Sequence, residues 1–83
     1  MLFTVSIWTA SHVELTRVQI RPDTNSTKRS LEHEARCRAA RKVFGEAEFV
    51  ESDSVPHEGT VWALENGVRY AIPVKMIVER TFP

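Results

Sequence analysis

Apolar residues recur along this chain with two periods, and the change of period separates strands from a helix. Between Leu2 and Thr9, Phe3, Val5 and Ile7 alternate with Thr4 and Ser6, the two-residue repeat of a strand with one buried face. Trp8 falls on the polar side of that repeat, where it covers the sheet edge or shows at the surface. Val13 to Arg21 is a second strand, rich in β-branched residues. Its phase changes between Leu15 and Val18, which predicts a bulge around Thr16-Arg17. A helix begun by a capping box at Ser11 and Glu14 competes with this reading, and the β-branched content favours the strand.

The period then becomes helical. From Thr27 to Gly45, Leu31, Ala35, Ala39 and Val43 form one ridge at 100° per residue, widened by Cys37, Ala40 and Phe44. Pro22-Asp23-Thr24-Asn25 supplies the turn before it, Ser26 or Thr27 the cap, and Gly45 the left-handed exit. Glu32–Arg36 and Glu34–Arg38 are i, i+4 pairs in the favourable order, each contributing roughly 0.3 kcal/mol. Arg38, Arg41, Lys42 and Glu34 gather on the side away from the ridge. Three alanines on the apolar side allow a sheet to approach closely.

Past Gly45 the two-residue repeat returns. Ala47 to Glu51 is a short strand with Ala47 and Phe49 inward, or Val50 if the register slips, and Ser52 to Gly59 is a polar loop broken by Pro56. Thr60 to Pro73 is a β-hairpin around Asn66-Gly67, the pair preferred in a type I′ turn. A two-residue turn pairs Glu65 with Val68, Ala63 with Tyr70 and Val61 with Ile72. Val61, Ala63, Val68, Tyr70 and Ile72 then share one face, while Trp62, Leu64, Arg69 and Ala71 share the other. In 74–82, Val74, Ile77 and Val78 fit a short helix, whereas Val74, Met76 and Val78 fit an edge strand; the β-branched residues favour the strand. The whole predicts one α+β domain over 1–83, in the order ββαβββ, with four or five mainly antiparallel strands and one long helix packed on them.

Length sharpens this. A chain of 83 residues has an expected radius of gyration of about 12 Å and buries only roughly 60–65% of its unfolded surface, so a homodimer interface would add useful burial. No apolar run approaches the length of a membrane span. The start lacks the basic region of a signal peptide, and Cys37 is the single cysteine, so a reducing, cytoplasmic setting is expected. Asn25-Ser26-Thr27 matches a glycosylation acceptor but reads as a turn and cap in that setting.

Formal charge sums to zero, yet it is segregated. Lys28 to Lys42 carries six basic residues and two glutamates, whereas Glu46, Glu48, Glu51, Asp53 and Glu58 follow with no Lys or Arg between them. Such a bipolar surface keeps a small domain soluble and also orients it on a charged partner.

Catalytic and metal chemistry find little support. His33 and Cys37 stand one helical turn apart, but a metal site needs three or four ligands, and His12, His57 and scattered carboxylates do not complete one in sequence. The same pair as base and nucleophile lacks a visible orienting group or oxyanion donors. The acidic stretch lacks the spacing and glycine of a calcium loop, and the three glycines are isolated, so no phosphate-cradling loop exists. The expectation is a protein without enzymatic activity, cofactor or metal.

Two binding functions remain. The first is a protein-binding module, an adaptor or inhibitor that covers a partner's surface, with Trp62, Leu64 and Arg69 together on one sheet face; Trp and Arg are frequent interface hot spots. In compactness, missing catalytic motifs and segregated charge, the chain resembles small phage-encoded proteins that block host defence, such as anti-CRISPR proteins, which implies inhibition by surface covering. The alternative is nucleic-acid binding through the basic helix 28–42, with Lys28, Arg29, Arg36, Arg38, Arg41 and Lys42 meeting phosphates. TKRSLEHEARCRAARKVF resembles the last helix of a double-stranded-RNA-binding domain, where lysines at the amino end touch the backbone. That family places three strands before this helix and almost nothing after it, whereas 38 residues follow Gly45 here. Arg36 lies nearer the buried arc, so the six cations cannot all face one groove. The neutral net charge and adjacent carboxylates also favour a protein partner.

Overall fold

A computed structural model describes residues 2–21 and 28–81. The elements are β1 (Leu2–Thr9), β2 (Glu14–Ile20), α1 (Lys28–Phe44), β3 (Ala47–Glu51), β4 (Glu58–Glu65) and β5 (Val68–Thr81). The order is ββαβββ, and all five strands join one antiparallel sheet in the spatial order β2-β1-β5-β4-β3. The chain passes from one sheet edge, β2, through α1 to the other edge, β3. The radius of gyration is 12.4 Å. The Pro22–Asn25 turn and the Ser26 or Thr27 cap lie outside the described residues.

The core forms between one face of the sheet and the ridge of α1. Phe3, Val5 and Ile7 of β1, Ile20 of β2, Phe49 of β3, Val61 of β4 and Val74 and Met76 of β5 are buried against Leu31, Ala35, Ala39 and Ala40. The three alanines are fully buried, so α1 sits close to the strands, as small side chains permit. Gly45 ends the helix at φ 76°, and its N–H donates to the carbonyl of Arg41 at 2.9 Å.

Three local expectations need correction. The bulge lies earlier than Thr16-Arg17: Ile7 pairs with Thr16 and Trp8 with Glu14, so Leu15 is the extra residue. This puts Glu14 and Arg17 on one face, where they form an ion pair. Secondly, Arg36 does not pair with Glu32; its guanidinium turns inward and meets Glu51 instead. The Glu34–Arg38 pair does form, at 3.0 Å.

The third correction concerns the C-terminal stretch. It is strand, but not a separate edge strand: it continues the second arm of the hairpin, making β5 a 14-residue strand at the centre of the sheet. Pro73 is tolerated there for a positional reason. The hairpin turns at Asn66 (φ 53°) and Gly67 (φ 79°), and bonded pairs alternate from Glu65–Val68, so Pro73 faces Thr60 at a non-bonded position. On its other side the β1 pairing stops at Thr9–Val74, one residue short. No ladder bond needs the missing N–H.

The opposite face of the sheet is covered by no described element. Val68 and Tyr70 lie on the helix-bearing face but beyond the end of the helix, and both stay exposed. Among the described residues no helix is long and apolar enough to cross a membrane.

Candidate functional site

Strands β4 and β5 bring Trp62, Leu64 and Arg69 together on the uncovered face, in the predicted register. Leu64 is opposite Arg69, and Trp62 lies between Ala71 of β5 and Glu48 of β3. With a small residue on one side and a carboxylate on the other, nothing covers the indole, and Trp62 remains 40% exposed. Two hollows flank it. The smaller, about 150 Å³, is formed by Trp62, Leu64 and Arg69 with Glu46, Ala47 and Glu48. The larger, about 610 Å³, has Val50, Thr60, Trp62 and Pro73 among its walls, with Lys75 and Glu58 at its rim. Glu46, Glu48 and Glu58 have no cationic partner within ion-pair distance among the described residues.

The helix cations are less available than their sequence suggests. Arg38 donates to the Arg21 carbonyl at 2.9 Å and to Glu34 at 3.0 Å. Arg36 is buried. Arg41 and Lys42 are exposed in the last turn, where they also complement the helix dipole. The side chains of Lys28 and Arg29 lie outside the described residues.

A second constellation was not anticipated. Arg36, only 7% exposed, donates through Nε to the Met76 carbonyl at 3.2 Å and through Nη1 to Glu51 Oε1 at 2.9 Å. Its Nη2 stands 3.1 Å from His57 Nδ1. His33 Nδ1 lies 3.1 Å from the same Glu51 oxygen, and His33 Nε2 lies 3.6 Å from Cys37 Sγ. A carboxylate only accepts, so His33 donates from Nδ1 and presents Nε2 as an acceptor to the thiol. Burial would raise the Glu51 carboxyl, but the hydrogen bonds from His33 and Arg36 outweigh it and hold it below the usual carboxylate range. Burial pushes the Cys37 thiol up, against the opposing pull of Arg41.

Cys37, His33 and Glu51 thus have the order of nucleophile, base and orienting carboxylate. The orienting group missing from the sequence reading is Glu51. Its position could have been anticipated: β3 runs back along α1, and six strand residues past Gly45 cover about 20 Å. Twelve helical residues before Gly45 cover about 18 Å, which sets His33 level with Glu51. The thiol does not line the adjacent hollow of about 630 Å³, which is formed by α1 and residues 51–58. Backbone N–H groups around Cys37 are used inside α1. Among the described residues no group of three His, Cys, Asp or Glu stands close enough to hold a metal ion.

No protein-family model matches this chain, and neither a curated protein nor a solved structure is significantly similar to it.

Proposed function

We propose that this protein is a small binding module, an adaptor or inhibitor, that covers part of a partner protein with the open face of its sheet. The observation that carries this reading is Trp62, exposed between two hollows on a face that no described element covers. A large, stiff aromatic beside a guanidinium and an aliphatic has the composition of an interface hot spot. The acidic β3 rim gives that face a preference for partners with basic flanks.

Nucleic-acid binding by α1 is the second reading, and the exposed Arg41 and Lys42 support it. The Arg38 contacts with Arg21 and Glu34 count against it, because a phosphate would have to displace them.

A tagged pull-down from lysate, run with and without nuclease, separates the two. For a protein partner, capture survives nuclease, and Trp62→Ala weakens the purified complex by about 2 kcal/mol, roughly 30-fold. Arg41→Ala with Lys42→Ala changes it little. For nucleic acid the double variant weakens binding and flattens the salt slope by about 2, while Trp62→Ala is neutral. That second pattern would overturn the proposal.

A further inference from the structure

Residues 52–57 form a strap across the hollow between α1 and the sheet, and its fastening depends on a histidine in one protonation state. At its base, Ser52 N–H donates to the Glu58 carbonyl at 2.8 Å. Ser52 Oγ braces the first half by accepting from the N–H groups of Ser54 at 3.3 Å and Val55 at 3.2 Å. The second half is tied to β4 by Glu58 N–H donating to the Val55 carbonyl at 3.3 Å, and among the described residues only His57 reaches α1 and β5 from there. Its carbonyl accepts from Met76 N–H at 2.8 Å, and its ring meets Arg36. The backbone there is left-handed, φ 67°, an uncommon conformation for a non-glycine residue that the surrounding contacts must maintain.

The contact with Arg36 admits only one form of the ring. A guanidinium only donates and stays charged, so His57 Nδ1 must accept, with its proton on Nε2. Protonating Nδ1 would set donor against donor and cation against cation, 3.1 Å apart. Arg36 has no freedom to retreat, since Met76 and Glu51 hold its other nitrogens in a buried position. The ring is the mobile partner, because His57 and the whole strap are exposed.

Other charged groups around His57 do not substitute for this contact. Glu32, His33 and Arg36 face the hollow from α1, Glu51 from β3, Asp53 from the strap and Glu58 from β4. Lys75 of β5 stands opposite Glu58. The carboxylates give a protonated imidazole somewhere favourable to go once it leaves Arg36. His33 behaves in the opposite sense: its own protonation strengthens the contact with Glu51 and so reinforces the α1–β3 side.

We infer that residues 52–57 are a proton-released strap: taking up a proton on His57 Nδ1 breaks its contact with Arg36 and frees the segment from α1 and β5. Glu51, Ser52 and Glu58 border both this hollow and the larger one beside Trp62, so release reshapes the rim of the open face as well. The strap stands on its own geometry, whatever the open face binds.

Nuclear magnetic resonance on the intact chain tests this between about pH 7.5 and pH 5. The reporter is the Met76 amide, which donates to the His57 carbonyl, read as exchange protection corrected for intrinsic rates, beside the ring signals of each histidine. Its protection should fall on the order of tenfold when the His57 ring takes up its proton, matching the loss of about one net hydrogen bond. His57→Asn offers an amide oxygen to Arg36 and tolerates the left-handed backbone, so it should stay protected at both pH values. His33→Asn should respond like the wild type. A reporter that stays constant while the His57 ring takes up its proton, a response that follows His33, or an equal response in His57→Asn would overturn the inference.

Discussion

The Arg36 side chain donates to the backbone carbonyl of Met76 across 3.2 Å, although forty residues separate the two in sequence. This bond ties the middle of α1 to the central strand and leaves the guanidinium close enough to reach β3 and the strap. One buried cation therefore joins four segments of a thin domain.

Replacing that cation should be costly. Arg36→Met keeps the aliphatic stem but strands the Met76 carbonyl and the Glu51 carboxylate. We expect a loss of about 2–3 kcal/mol in urea unfolding at neutral pH, the lower end because Glu51 is partly solvated. Glu51→Gln should cost only about 1 kcal/mol, since an amide oxygen still accepts from Arg36. Equal costs for the two variants would show that the Met76 contact adds nothing.

Acid should weaken the fold through Glu51. Its carboxyl is held below the ordinary range by His33 and Arg36, so ionised Glu51 contributes stability above the unfolded-state value, and that contribution disappears as pH falls through the folded one. The urea midpoint should drop more steeply between about pH 5 and pH 2 in wild type than in Glu51→Gln. Parallel curves would contradict the assignment.

Gly59 and Gly67 should respond differently to alanine. At Gly59 a Cβ would collide with the Val50 carbonyl oxygen and stand 2.6 Å from the Phe49 ring, so β3 must shift. At Gly67 the space is open and only the positive φ opposes the methyl group. Thermal unfolding should show Gly67→Ala losing about 1 kcal/mol and Gly59→Ala at least about 2.

Trp8 offers the reverse case. Its Nε1 is buried with no hydrogen-bond partner among the described residues, a state that costs about 1–3 kcal/mol in desolvation. Trp8→Phe removes the orphan donor and keeps most of the ring, so the melting temperature should hold or rise. A fall of several degrees would reveal a partner for that nitrogen.

Order, class and most facing of the elements were legible because they depend on local periodicity. The alternation in β1, the ridge from Leu31 to Val43 and the Asn66-Gly67 turn each specify geometry within a few residues. Trp62, Leu64 and Arg69 were placed together for the same reason: a two-residue hairpin leaves no freedom of register. The bulge was misplaced because a bulge depends on the partner strand, and the pairing of Trp8 with Glu14 cannot be read from β2 alone.

By itself, then, the sequence determined the ββαβββ order, the amphipathic helix, the hairpin register and the segregation of charge, all consequences of side-chain period and turn chemistry. Tertiary structure decided what depends on distant segments meeting. It placed β5 at the sheet centre by pairing it with β1, gave Arg36 its partners on β3 and β5, and occupied Arg38 with the Arg21 carbonyl. It also brought His33, Glu51 and His57 around one guanidinium. Local pattern records which way a side chain faces. Only the packed chain supplies the partners it finds there.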